Sequence, residues 1–68
     1  MVFKTDISTA TIAKELSPLF ARHPAVLIWS VDITDVDNVL RIEASNTVTE
    51  IEIIKLVQSL GYFCVVLD

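Results

Sequence analysis

The sequence predicts a single α+β domain of four strands and two helices in the order β-α-β-β-α-β. Three observations carry this. Apolar residues alternate with period two in three short runs, and a fourth run, Tyr62 to Leu67, is continuously apolar with aromatic and β-branched residues. Two longer segments repeat apolar residues every three or four positions. Capping, turn or helix-ending residues stand at the boundaries between them.

The first strand covers Val2 to Ile7, with Phe3, Thr5 and Ile7 on one side and Val2, Lys4 and Asp6 on the other. From Thr9 to about Arg22, Ile12, Ala13, Leu16, Leu19 and Phe20 share one helical face. Pro18 lies inside that helix and predicts a kink, because a mid-helix proline removes a hydrogen bond and crowds the preceding turn. His23-Pro24 ends the helix. Val26 to Ile33 reads as the second strand, with Trp29, Val31 and Ile33 opposite Ile28, Ser30 and Asp32. The polar segment Thr34 to Asn38 forms the turn, and Leu40, Ile42 and Ala44 alternate with Val39, Arg41 and Glu43 in the third strand.

The second helix has two candidate caps, since Thr47 with Glu50 and Thr49 with Glu52 both satisfy the capping-box spacing. Its stripe is Ile53, Ile54, Leu56, Val57 and Leu60, and Gly61 stops it. Tyr62 to Leu67 is the fourth strand, aromatic and β-branched. Two β-α-β units joined by a hairpin imply a ferredoxin-like sandwich, a four-stranded antiparallel sheet with both helices on one face and the fourth strand at an edge.

Residues 1–68 make one domain with no internal linker. A core of this size rarely supplies more than ~3–5 kcal/mol. Cys64 is the only cysteine, so neither an intrachain disulfide nor a cysteine-rich metal cluster can form within one chain. The hydrophobic fraction is 53% and the mean hydropathy +0.62, which implies a very full core or apolar surface reserved for a partner. The longest apolar stretch, Leu60 to Leu67, falls far short of the ~20 residues that span a bilayer, so no membrane insertion is expected. Lys4, Thr5 and Asp6 interrupt any export-signal pattern, and a cytoplasmic location is the expectation. A net charge of −4 argues against nucleic-acid binding.

Phe3-Lys4-Thr5-Asp6-Ile7, Pro18-Leu19, Trp29-Ser30-Val31-Asp32-Ile33, and Ile53-Ile54 leading to Leu60-Gly61-Tyr62 follow one another across nearly the whole chain. In order and spacing they resemble a heavy-metal-associated domain of the copper-chaperone kind. The resemblance implies a Cys-x-x-Cys pair after the first strand, where two thiolates hold Cu(I) or another soft ion. Anchored on Ile7 and Pro18, those positions fall at Thr9 and Ile12. A threonine hydroxyl is a hard, weak donor and isoleucine has none, so the resemblance comes with a degenerate metal site, and no cofactor is expected.

The other chemistry-bearing residues have structural explanations. Ser8, Thr9 and Thr11 suit helix capping. Cys64 shares a face with Tyr62 and Val66, and the resemblance implies that it looks inward as an inert hydrophobe. His23 suits a helix end, where a protonated ring favours the macrodipole. Asp32, Asp35 and Asp37 lack the glycine and terminal glutamate of a calcium loop. No nucleophile-base constellation or glycine-rich phosphate loop is present, and the chain is expected not to be an enzyme.

Phe63, Val65 and Leu67 would line the sheet face away from the helices, on an edge strand, with Val2, Val39 and Ile28 extending the patch. An apolar edge is normally protected. The expected function is therefore protein interaction or self-association, through a homodimer on the last strand or outer sheet face, or through another protein. The rival is a heavy-metal (Cu or Zn) accessory protein with a non-standard or intermolecular site using Cys64 or His23. A small-ligand sensor is a third class, which no sequence feature favours.

Overall fold

The computed structural model describes residues 1–68. β1 spans Val2–Thr5, α1 Ala10–Ala13, α2 Leu16–Ala21, β2 Val26–Asp32, β3 Val39–Ala44, α3 Glu50–Ser59 and β4 Cys64–Val66. The strands form one open, wholly antiparallel sheet in the order β2-β3-β1-β4. Phe3 lies between Leu40 of β3 and Val66 of β4, so the period-two pattern of each strand sums into two distinct sheet faces.

The inner face carries the core. Phe3, Leu40, Ile42 and Cys64 from the sheet pack with Ile7, Leu16, Phe20, Val48, Ile53 and Val57. Phe20 of α2 meets Trp29 of β2 with ring centroids 5.5 Å apart and planes tilted by 51°. That geometry favours contact between a ring edge and a neighbouring face.

The first helical segment differs from expectation. It breaks at Lys14 and Glu15, ahead of Pro18, into α1 and α2. In an unbroken helix the Lys14 carbonyl would need the N–H that Pro18 lacks. Here it accepts from the Ser17 N–H at 3.1 Å. Pro18 then falls in the first turn of α2, where a missing donor costs nothing.

α3 resolves the choice between the two threonines. Thr49 is the N-cap, and its Oγ1 accepts from the Glu52 N–H at 3.3 Å, while Thr47 pairs with Ser45 at 2.8 Å. Val48 just before the cap and Ile53 one turn later are both buried in the core, a hydrophobic staple that fixes the entry angle. Glu50 and Glu52 lie in the first turn, where negative charge complements the helix dipole.

Gly61 follows the helix with φ at +91°, and a Cβ there would meet nothing within 4 Å. The penalty for Gly61→Ala is therefore purely a backbone one, about 1–2 kcal/mol. Chemical denaturation should show a lower midpoint with an unchanged slope.

The two outer strands are shorter than their apolar runs. β2 stops at Asp32, whose Oδ1 accepts from the Thr34 N–H at 3.1 Å and from its hydroxyl at 2.7 Å. These two bonds hold the Asp32 carboxyl below its ordinary pKa. β4 keeps only three residues of the six expected. The Leu67 N–H still donates to the Val2 carbonyl at 3.0 Å, and the Phe63 N–H donates to Asp6 Oδ1 at 3.0 Å.

Candidate interaction surface

Thr9 and Ile12, the positions at which the resemblance would place metal ligands, are joined by a helix cap. Thr9 caps α1, and its Oγ1 accepts the Ile12 N–H at 3.1 Å. Ile12 packs its side chain against the core. The pair supplies no soft donor, so these residues do not fit a Cu(I) site.

Cys64 is wholly buried among apolar neighbours, and burial pushes its thiol up to about 11. Only the thiolate is a good nucleophile or metal ligand, so this environment opposes both roles. Above pH 9 the unfolded chain releases the thiol proton while the folded chain keeps it. Stability is thus expected to fall as pH rises from 9 toward about 11. Unfolding free energies measured over that interval should fall less steeply in Cys64→Ala.

His23 is half-buried at the end of α2. Its Nε2 stands 3.9 Å from Glu52 Oε2 of α3, and its Nδ1 is enclosed without a partner. The contact ties the two helical segments together. Nowhere do three or more His, Cys, Asp or Glu side chains gather as a metal-holding group.

The acidic residues of the β2–β3 turn are engaged locally. Asp35 Oδ1 accepts the Asp37 N–H at 2.8 Å, and Lys4 Nζ reaches Asp37 Oδ1 at 3.5 Å. Thr5, the one buried polar residue, anchors this turn to β1. Its hydroxyl donates to the Asn38 carbonyl at 2.6 Å and accepts the Ile7 N–H at 3.1 Å.

On the outer face, Val65 is paired with Lys4, Leu67 bonds to Val2, and Phe63 bonds to Asp6. Phe63 is 49% exposed and Val65 40%, while Val2 and Leu67 are half-buried. Val2, Phe63, Val65 and Leu67 therefore form one apolar patch. Val39, also on this face, is covered, with the register placing it beside Lys4.

Three surface features were not apparent from the sequence. A bulge between Val26 and Ile28 breaks the alternation of β2 and leaves Leu27 66% exposed beside Ile28, which strand phase already sets opposite Trp29 and which is 61% exposed. Val66 occupies the inner face opposite Phe3 yet is 38% exposed. Tyr62 lies by the Glu15 carboxylate, which with Asp6 raises the pKa of its phenol. Only the bulge had a possible signal, in the unbroken Val26-Leu27-Ile28 run.

No pocket indents the surface, and no helix is long and apolar enough to cross a membrane. Compared with protein-family models, curated proteins and solved structures, the chain matches none.

Proposed function

We propose that this chain is a non-enzymatic interaction module, a ferredoxin-like domain of heavy-metal-associated type without its thiolate site, acting in the cytoplasm through self-association. The observation that carries the reading is the apolar patch of Val2, Phe63, Val65 and Leu67 on a sheet face without helices. Apolar surface beside an open strand edge favours protein contact.

The fold assignment draws support from the strand order. From the β4 edge the sheet runs β4-β1-β3-β2. β3 separates the two strands of the first β-α-β unit, and β1 separates those of the second. This interleaving is the meaning of a split β-α-β arrangement. The loss of metal chemistry rests on Thr9 serving as a cap, Ile12 as a core contact and Cys64 as a buried thiol.

Light scattering across a concentration series tests the function. The average mass should rise with concentration for the native chain and stay at one chain for Val65→Asp, which places a charge in the patch. A native chain that remains monomeric to high micromolar concentration, with no partner recovered from cells, refutes the reading. Titration with Cu(I) under reducing conditions is expected to show no tight binding. Tight binding lost in Cys64→Ser would reverse the choice in favour of a metal carrier.

A further inference from the structure

We infer that the partner at β4 is a second copy of the chain, joined antiparallel about a two-fold axis at Val65 so that the two sheets become one of eight strands. The inference rests on the self-association reading and specifies its geometry.

Backbone parity supplies the first argument. The Leu67 N–H bonds to the Val2 carbonyl, and the β1–β4 register pairs Val65 with Lys4. Hydrogen-bonded and non-bonded pairs alternate in an antiparallel ladder. The main-chain groups of Val65 and Leu67 therefore face β1, and those of Cys64 and Val66 face the open edge. An axis through Val65 sets Cys64 opposite Val66 of the second copy and Val66 opposite Cys64. Every open N–H and C=O of these two residues then gains a reciprocal partner.

Side chains give the second argument. In this register Phe63 faces Leu67 of the second copy, Val65 faces Val65, and Leu67 faces Phe63, so every outer-face pair is apolar. A shift of the axis by one residue in either direction sets Leu67 opposite Gly61 or deprives Phe63 of an apolar partner. Asp68 is the one charged residue from Tyr62 onward, and it lies opposite Tyr62. No charge meets its own sign.

The other open edge, β2, lacks this self-complementarity. The Ile42 N–H bonds to the Met1 carbonyl, which turns Arg41 and Glu43 toward Ser30 and Ile28 and leaves the groups of Trp29 and Val31 open. Two-fold axes at Trp29 and Ser30 set Ile28 against Ser30 and Asp32 respectively, and the bulge beside Ile28 bends the edge. A standard interface of ~800 Å² per partner would take about a fifth of this chain's 4236 Å² surface. One short edge strand buries less, so association is expected to be weak and concentration-dependent.

Cysteine cross-linking in the full chain tests the register. A non-bonded antiparallel pair brings its Cα atoms to about 4.5 Å, within the span a disulfide accepts. Val65→Cys should convert nearly completely to a disulfide-linked dimer in an oxidising glutathione buffer. Leu67→Cys, offset by four residues from its counterpart, should remain uncross-linked, as should Ser30→Cys on β2. Native Cys64 is buried and does not compete. Sedimentation of the reduced native chain separates the two ideas. A dimer in which Val65→Cys fails to cross-link overturns this register and leaves self-association standing, as does preferential cross-linking through Ser30→Cys. A monomer at all concentrations overturns both.

Discussion

Phe3→Ala is expected to abolish cooperative folding. Phe3 is fully buried at the centre of the sheet, flanked by Leu40 and Val66 and packed into the core beneath the helices. Truncating a buried phenylalanine costs about 3–5 kcal/mol, the whole margin that a core of this size ordinarily supplies. Thermal denaturation of the variant should show no sigmoidal transition at 25 °C or above. Ile53→Val removes one methyl group from the same core and costs about 0.5–1.5 kcal/mol. It should retain a transition, lowered by about 4–8 °C per kcal/mol lost. Equal behaviour of the two variants would contradict a single cooperative core.

Thr5→Val should be nearly as damaging although it conserves shape. The Thr5 hydroxyl satisfies the Ile7 N–H on one side and the Asn38 carbonyl on the other. Valine leaves both main-chain groups without that partner, and an unsatisfied buried group costs about 1–3 kcal/mol. The β2–β3 turn would also lose its side-chain anchor to β1, although the Thr5 N–H still donates to the Asp37 carbonyl at 3.1 Å. Thr5→Ser keeps the hydroxyl and should recover most of the stability. Urea titration of the three chains checks this, with midpoints ordered native, serine, valine. A valine variant as stable as the native chain would show that the hydroxyl bridge contributes nothing.

The element types were readable because each depends on local periodicity. Phe3, Thr5 and Ile7 all face the core, and Phe63, Val65 and Leu67 occupy the outer face, since successive side chains of extended chain without a bulge point to opposite sides. Features set by competition between neighbours were less accessible. Thr47 and Thr49 present the same spacing to a following glutamate, and the placement of Val48 in the core selects Thr49. Pro18 signals a break in the helix without locating it, because a proline is tolerated anywhere in a first turn. The bulge at Leu27 and the exposure of Val66 arise only when the strands and helices are assembled, so no local pattern determines them. Thr5 joins residues far apart in sequence, so its bridge has no local signature.

The candidate site divides similarly. Absent soft donors at Thr9 and Ile12 could be recognised from residue type alone, whereas the cap that joins them required the structure. The outer-face patch followed from strand phase. Its relation to the open groups of Cys64 and Val66 required the β1–β4 register.

Amide hydrogen exchange at Cys64 and Val66, measured over a range of protein concentrations, tests self-association through β4 most directly. Both amides face the open edge in a single chain and acquire a carbonyl partner in the proposed pair. Their protection should rise with concentration, while that of Trp29 and Val31 on the β2 edge stays constant. Protection at Cys64 and Val66 that does not change with concentration, or an increase confined to β2, would contradict the account.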